Sequence, residues 1–572
     1  MSGRRLTVAL ASAALVGLGA LAWLALRATA SGGLPPVVLD TARARPQGDF
    51  LVGAFPEPAH LNPFTNIDPV VATWVLRWTH DTLCRLDPRT ARAEPSLAER
   101  VEADGEGGLR IELRRDARFA DGTPVVAADV AFSHACARAR GLPASAVVRA
   151  AGMVDGVEVV APYELRAHGL RAHWAARDVF TTGLVVVSRA AVEERLAAAA
   201  RARGEPTPSP ETPEFGARLA ELADAGPGSG PYMLAPVAGA LWQRGQHLDL
   251  IQNPHAWHRR AWPESFNLAG FRHVFVTEPA AQLAMARRDA LDWLAGDVRA
   301  WVARDADLRA RFRVVVYDAY ALGHFMVAWN CRSGPLADAR VRRALAHLFD
   351  RDTIVRELLH GDAVPAAAWF KPGTPDAADD LQAPAFDVGL AKNLLADAGF
   401  GDASAGPLRI EIVGAAQEPL HRRILELAQP AFAAAGVVLE PRLVEAGVLR
   451  QRLQQREFMG LLALKYHPDP WIDPWPNFHS SQAGPNGQNW MGFTDPETDR
   501  LLDTARSAGD AEARHVAYRA FCRRVDELQP VALLVHPRTA LLVHRRFENA
   551  EVGVTGLSPQ AWWVRPEAQL HR

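Results

Sequence analysis

The stretch that most constrains the fold of this 572-residue chain is a run of three elements in its C-terminal third. Apolar residues predict a strand from Leu408 to Val413, a helix follows from Pro419 to Ala435, and a second strand runs from Val437 to Leu443. Gly436 is the residue type that ends such a helix. A strand–helix–strand unit of this length predicts an α/β domain with a partly parallel sheet.

The rest of the chain also alternates strand-like and helix-like segments. Alternating apolar and charged residues predict a hairpin strand over Leu109–Leu113, and the turn Asp121–Pro124 precedes a helix start. Capping residues and apolar stripes predict helices over Asp338–Leu359 and Asp387–Ala398. The Ala/Arg/Glu-rich segment Ala190–Ala225 is interpreted as a helical surface insertion with an exposed proline-rich loop.

The N-terminus has the features of an export signal. Arg4 and Arg5 precede an uninterrupted apolar run from Leu6 to Leu26, and the small residues Ala28–Ala30 suit signal peptidase. The run is also long enough to span a bilayer, so residues 1–30 are either a signal peptide or an uncleaved anchor. Both alternatives send the rest of the chain across the membrane, and cleavage after Ala30 is the preferred one.

Several classes of function find no support. Lys and Arg total 63 against 65 Asp and Glu, a formal charge of −2, which argues against a nucleic-acid partner. The glycine-rich segment Gly226–Gly230 lacks the spacing of a nucleotide-binding loop and is interpreted as a tight turn. We expect no cofactor. A structural zinc is disfavoured, because the four cysteines are widely separated and form no ligand spacing. Whether these cysteines pair is left open; they are Cys84, Cys136, Cys331 and Cys522.

One segment is dense in polar and aromatic residues. It reads His467-Pro-Asp469-Pro-Trp471-Ile-Asp473-Pro-Trp475, with Asn489 and Trp490 following. Prolines stiffen a loop and tryptophan rings present flat apolar faces, which favours a binding surface. A loop that packs its own aromatics, or metal ligation by its His and Asp residues, are the alternatives.

Six motifs then occur in order along the chain: Leu61-Asn62-Pro63, Phe119–Val130, Gly228–Tyr232, Asp338–Leu345 with Asp350-Arg351, Ala391–Gly399 and His479–Leu502. Together they resemble the extracytoplasmic solute-binding proteins of family 5, which are the oligopeptide, dipeptide and nickel-binding components of ABC importers. The resemblance covers nearly the whole chain from about Gly48.

The resemblance implies an α/β fold in the form of a two-lobed periplasmic-binding-protein-like clamp, type II, of the large class with an extra subdomain. Lobe I would comprise 46–79, 226–320 and 534–572, the subdomain 80–225, and lobe II 321–533. The chain would cross between lobes near Phe325–Asn330 and Gln529–Leu534, which would form the hinge.

The implied function is capture of peptides between the lobes and delivery to the permease subunits of an ABC transporter, by a monomeric periplasmic protein without enzymatic activity. Alternatives are a membrane-anchored sensor or accessory protein of the same fold, and a cargo such as a nickel chelate, heme or an oligosaccharide. A hydrolase using the His/Asp loop is disfavoured, because no nucleophile stands beside a base.

In peptide-binding relatives an Asp in the loop matching Ala463–Pro474 pairs with the ligand's α-amine. Here Asp469 and Asp473 compete for that role, and Asp469 is preferred because it follows Tyr466 more closely. Lys465 could instead favour an anionic group. The remaining residues expected to contact ligand are Tyr466, Trp471, Trp475, Asn489, Trp490, Ile67 and Asp68.

Overall fold

The structure is a computed structural model that describes residues 49–296, 298–318, 322–400, 406–467, 470–485, 487–550 and 552–571. Within these residues the strands are β1 Phe50–Phe55, β2 Cys84–Leu86, β3 Ala93–Pro95, β4 Ala98–Ala103, β5 Leu109–Leu113, β6 Gly156–Ala161, β7 Glu164–His168, β8 Tyr232–Leu234, β9 His247–Gln252, β10 Gly270–Phe275, β11 Trp293–Ala295, β12 Phe312–Tyr317, β13 Leu322–Trp329, β14 Ala363–Pro365, β15 Leu408–Ala415, β16 Val437–Val444, β17 Gly460–Tyr466, β18 Val531–Pro537, β19 Thr539–His544, β20 Phe547–Glu548, β21 Val552–Gly553, β22 Gly556–Leu557 and β23 Trp563–Val564.

The α-helices of the same residues are Pro69–Val71, Arg77–Thr79, Ala127–Ala137, Ala146–Ala151, Ala176–Gly183, Arg189–Arg203, Phe215–Ala220, His258–Ala261, Pro279–Ala286, Val298–Arg304, Ala306–Arg311, Ala339–Ala346, Arg351–Thr353, Val388–Asp397, Pro419–Ala434, Ala446–Gln455, Trp475–Phe478, Pro496–Ser507 and Ala511–Leu528. Two π-helical segments, Ala72–Leu76 and Ile354–Leu358, continue short α-helices.

Lobe II is built on a six-stranded mixed sheet in the order β14-β18-β13-β17-β15-β16. The predicted strand–helix–strand unit is confirmed: β15 pairs in parallel with β16, and the helix Pro419–Ala434 connects them. Gly436 follows that helix with φ 84°, a left-handed conformation that residues with a Cβ rarely adopt. The helix buries Ile424, Leu425 and Phe432 in the core of this lobe.

Lobe I is built on a four-stranded sheet, β1-β10-β9-β8, and a three-stranded sheet, β11-β19-β12. A buried ion-pair cluster holds the start and the end of this lobe together. The Arg546 guanidinium donates to Asp292 at 2.7 Å and also to Asp49, and all three side chains are at most 3% exposed. Burial of two carboxylates around one guanidinium is stable only because each is hydrogen-bonded.

The subdomain carries the antiparallel sheet β4-β5-β7-β6. Strand β5 has the predicted alternation, since Leu109, Ile111 and Leu113 are buried. The segment interpreted as a surface insertion forms the helices Arg189–Arg203 and Phe215–Ala220, and it buries apolar side chains in the subdomain core: Val192, Leu196, Phe215 and Leu219. The segment is therefore integral to the subdomain.

One predicted helix is divided. The sequence predicts a single helix over Asp338–Leu359, whereas the structure ends one helix at Ala346 and begins another after Asp350. The Asp350 carboxylate accepts a hydrogen bond from the backbone N–H of Thr353 at 2.9 Å, which is an N-cap. The predicted limits of the lobes and the subdomain stay a prediction. The two segments predicted to cross between the lobes fall on β13 and β18, which are antiparallel neighbours.

The glycine-rich segment forms the expected turn, with a specific packing reason. A β-carbon at Gly228 or Gly230 would overlap the backbone carbonyl of Thr79 or Trp78. The segment therefore needs glycine because it crosses the end of the helix Arg77–Thr79 at close range.

Candidate functional site

A cavity of about 340 Å³ lies where lobe II faces lobe I and the subdomain. Its walls come from the helical segment 69–79, from β2, from the end of the helix Ala176–Gly183 and from the segment 258–266. Lobe II contributes Tyr466, at the end of β17, whose residue surface is 49% exposed. A cavity at a lobe boundary is a favoured place for a ligand.

Aromatic residues build one wall of this interlobe cavity. Trp257 and His258 stack with ring centroids 4.1 Å apart, and Phe266 meets His258 edge to face at 5.4 Å. Trp262 lies beside this cluster and lines the cavity together with Phe266. These rings give the cavity an apolar surface with fixed geometry.

Asp81 is the only carboxylate among the described residues that line the cavity. It is buried and already accepts hydrogen bonds from Ser229 Oγ at 2.9 Å, Trp257 Nε1 at 3.3 Å and His258 Nε2 at 2.8 Å. Its role is therefore to hold the wall together, and its oxygens are engaged before any ligand enters.

Donor groups in the same walls are less well satisfied. Arg85 Nε and Nη1 and Trp78 Nε1 are buried and have no hydrogen-bond partner among the described residues. Thr555 Oγ1 and one ring nitrogen each of His80 and His258 also have no partner among the described residues; in a neutral imidazole whose other nitrogen donates, that nitrogen is an acceptor. Burial lowers the pKa of His80 to about 4, so this imidazole is neutral near pH 7.

The proline- and tryptophan-rich segment connects lobe II to the subdomain. Asp473 accepts hydrogen bonds from Arg506 Nε at 2.8 Å, from the backbone N–H of Trp475 at 3.0 Å and, from the subdomain, His173 Nε2 at 3.3 Å. Tyr518 donates to the same carboxylate at 3.5 Å. Burial alone would raise the pKa of Asp473, but the His173 hydrogen bond and the Arg506 charge outweigh it and hold this pKa below its ordinary value.

Three other residues predicted to bind ligand have structural contacts within the protein. Trp471 packs against the subdomain core. Trp475 Nε1 donates to Asp503 at 2.8 Å, and Arg506 lies 4.0 Å above the Trp475 ring. Asn489 is fully buried, and its amide donates to the carbonyls of Phe478, His479 and Phe493.

The remaining predicted residues are dispersed. Ile67 is 72% exposed, and the Asp68 carboxylate accepts from the Val70 N–H at 2.8 Å as a helix cap. Trp490 lines a different cavity, of about 770 Å³, on lobe II beside Arg450 and Arg456. Asp469 lies outside the described residues. Of the described residues predicted to bind ligand, Tyr466 is the one that lines the interlobe cavity. The ligand-binding roles of the whole set stay predictions.

Lys465 is held inside lobe II. Its Nζ donates to Asn477 Oδ1 at 2.9 Å and lies 5.8 Å from the Trp369 ring centroid. Burial lowers the pKa of Lys465 to about 8 and that of the nearby His467 to about 3. The described residues contain no group of three His, Cys, Asp or Glu side chains placed to hold a metal ion.

Sequence reasoning did not single out Arg85, Trp78 or Trp262. Arg85 sits in the short strand β2, whose sequence Cys-Arg-Leu is unremarkable. Its environment depends on Trp262, which is distant in the sequence, so no local pattern could have identified it.

Membrane attachment is not addressed by the described residues. Among them, which begin at 49, no helix has the length and apolar character to cross a bilayer. The apolar run 6–26 lies outside them, so both readings of the N-terminus stay predictions.

Two lobes around an interlobe cavity define a solute-binding clamp. The profile described as bacterial extracellular solute-binding proteins, family 5 Middle, matches residues 92–489. The chain belongs to this family. Family 5 is a family of extracytoplasmic transport proteins.

Individual relatives agree with this assignment. The chain is 22% identical to the oligopeptide-binding protein AppA of Bacillus subtilis over 519 residues, 88% of each protein. The structure of AppA in complex with a nonapeptide matches with a TM-score of 0.69 at 19% identity, covering 91% of this chain and 99% of AppA. NikA from Brucella suis in complex with Fe(III)-EDTA matches with a TM-score of 0.71 at 18% identity, covering 90% and 98%.

Proposed function

We propose that the protein captures short peptides in the interlobe cavity and delivers them to the permease subunits of an ABC transporter. The observation that carries the proposal is that Tyr466 of lobe II and the walls of lobe I and the subdomain line one cavity. A ligand held there contacts both lobes and therefore stabilises the closed form over the open one. The similarity to AppA supports a peptide as the cargo.

The chemistry of the cavity suits a peptide. Trp262, Phe266 and Leu76 offer apolar surface for side chains, and the unpaired donors offer hydrogen bonds to carbonyl oxygens. A volume of about 340 Å³ lies at the lower end of the range for small-ligand sites, which favours peptides of two or three residues.

For the peptide's α-ammonium we propose Asp469. The alternative, Asp473, already accepts from Arg506 and His173, so a ligand ammonium would have to displace a guanidinium from it. A buried ammonium without a carboxylate would cost several kcal/mol.

The test is calorimetry with an equimolar pool of tripeptides, free or N-acetylated, on the wild type and on Asp469→Asn. The wild type should bind the free pool, and Asp469→Asn should weaken that binding by about 2 to 5 kcal/mol. The acetylated pool should bind the wild type poorly and lose little more in the variant. Asp380→Asn, which removes the same charge from an exposed residue of lobe II that pairs with Arg523, is the control. Equal affinity of the wild type for the free and the acetylated pool would contradict the proposed ion pair between Asp469 and the α-ammonium.

Native mass spectrometry of protein purified without refolding decides between peptide and the other cargoes, namely a nickel chelate, heme or an oligosaccharide.

The intact mass of the native protein decides between cleavage and anchoring of the N-terminus. A species beginning at Ser31 supports cleavage, and one beginning at Met1 in the membrane fraction supports the anchored sensor or accessory protein. Scattering should show a smaller radius of gyration with bound ligand.

A further inference from the structure

Arg85 is a cation on the wall of the interlobe cavity whose hydrogen-bonding capacity is largely unused. Its guanidinium carbon lies 3.7 Å from the centroid of the Trp262 ring, over the ring face, and this cation–π contact holds the group in place. Nε and Nη1 are buried and without a partner among the described residues. Nη2 makes one long contact, 3.4 Å, to Glu94 on the neighbouring strand β3.

The balance of charge and hydrogen bonds in the cavity points to an acceptor that the protein does not supply. Buried polar groups in proteins are normally paired, so a wall with several unpaired donors is an exception that needs a reason. Asp81, the carboxylate among the described lining residues, is fully engaged by Ser229, Trp257 and His258. Trp78 Nε1, only a donor, adds to the excess of N–H groups.

We propose that Arg85, stacked on Trp262, is an anion-binding subsite that takes a carboxylate of the ligand. The inference rests on the proposed function only in that the ligand enters the interlobe cavity. A carboxylate would accept from the unpaired N–H groups of Arg85, and charge-assisted bonds of this kind are about twice as strong as neutral ones. The carboxylate is either the C-terminal group of a peptide or an acidic side chain.

The competing interpretation is that Arg85 serves as a cross-strand partner of Glu94. The geometry is weak for that purpose, because the contact is long and the Glu94 side chain is 42% exposed. A long contact to a half-exposed carboxylate contributes about 0 to 1 kcal/mol. The two interpretations differ in what removal of Glu94 should do to ligand affinity.

The experiment measures affinity by calorimetry for three tripeptide pools with free N-termini: one with neutral side chains and a free C-terminus, the same pool amidated, and an amidated pool that contains Asp or Glu. Arg85→Gln should weaken binding of at least one carboxylate-bearing pool by about 30-fold and leave the neutral amidated pool within about threefold. The pool affected identifies the source of the carboxylate.

Three further variants control the measurement. Arg85→Lys keeps the charge and should recover part of the affinity. Arg110→Gln, on β5 and paired with Glu164, removes the same charge outside the cavity and should change nothing. Glu94→Gln should leave affinity unchanged or raise it. A loss in Glu94→Gln equal to that in Arg85→Gln, or an Arg85→Gln variant that folds and binds all pools like the wild type, would overturn the proposal.

Failure of the peptide function is distinguishable from failure of the subsite. If no pool binds the wild type, peptide is the wrong cargo, and the compounds that co-purify with each protein then decide about Arg85. Anionic compounds retained by the wild type and lost from Arg85→Gln support the subsite. Absence of any anionic compound from the wild type, or equal retention by the variant, overturns it.

Discussion

Two arginine–tryptophan stacks, one in lobe II and one in the wall of the interlobe cavity, differ in the acid that each arginine contacts. Arg506 lies 4.0 Å above the Trp475 ring in lobe II, and Arg85 lies 3.7 Å above the Trp262 ring beside the cavity. Arg506 has a carboxylate, Asp473, that is only 12% exposed and bonded at 2.8 Å. Arg85 has Glu94, whose side chain is half-exposed and lies 3.4 Å away.

The comparison distinguishes an arginine whose charge is neutralised inside the fold from one whose N–H groups can still bind a ligand. In the first stack the acid, the base and the His173 imidazole satisfy one another, and they connect lobe II to the subdomain. In the second stack two buried N–H groups of the guanidinium, in the wall of the cavity, have no partner among the residues that the structure describes. A buried charge that is fully hydrogen-bonded contributes to the fold, whereas one left unpaired carries a cost that a ligand can relieve.

The largest effect expected from this comparison is on stability. Asp473→Asn leaves Arg506 without its carboxylate in a partly buried site, and we expect a loss of about 3 kcal/mol in the free energy of unfolding. Glu94→Gln removes the acid of the other stack, which makes only a long contact of 3.4 Å from a half-exposed side chain, and should lower the free energy of unfolding by at most about 1 kcal/mol. Urea unfolding of the two variants measures both. Losses of similar size would contradict the distinction between the stacks.

The sequence predicts well what local patterns determine. The unit β15, Pro419–Ala434, β16 was predictable because apolar periodicity and Gly436 act over a few residues. The break between Ala346 and Asp350 was not, because the apolar stripe continues across it while Leu348 and Phe349 turn into the core.

The candidate site was harder for the same reason. The segment 467–475 attracted the ligand prediction by its density of Asp and Trp, yet Asp473 and Trp475 have partners inside the protein. The contact of Asp473 with His173, which is far away in the sequence, shows that this carboxylate connects lobe II to the subdomain. Conversely, nothing around Arg85 in the sequence indicates that Trp262 will lie beneath it.

The next effect concerns the rings of the two stacks. Trp475→Leu should lower the free energy of unfolding by about 2 kcal/mol, because the ring packs beneath Arg506 and its N–H bonds to Asp503. Trp262→Leu should mainly weaken the affinity for a carboxylate-bearing tripeptide, by about fivefold. Unfolding and calorimetry on both variants are needed. If Trp262→Leu loses no affinity, its ring does not orient Arg85 for an anion.

The smallest effect is a dependence on pH confined to the first stack. The folded-state pKa of Asp473 is lowered, so the stability that this carboxylate contributes is fully present above its unfolded pKa of about 4 and is lost as pH falls through the folded value. The difference in unfolding free energy between the wild type and Asp473→Asn should therefore be constant above about pH 5 and narrow below about pH 4.

Buried histidines such as His273, with a pKa lowered to about 4 by burial, also destabilise the fold as pH falls from about 6.5. They do so in both proteins, so their contribution cancels in the difference. Urea unfolding between about pH 3 and 7 measures the difference, and one that widens toward low pH would show that Asp473 is not stabilised as a carboxylate by Arg506 and His173.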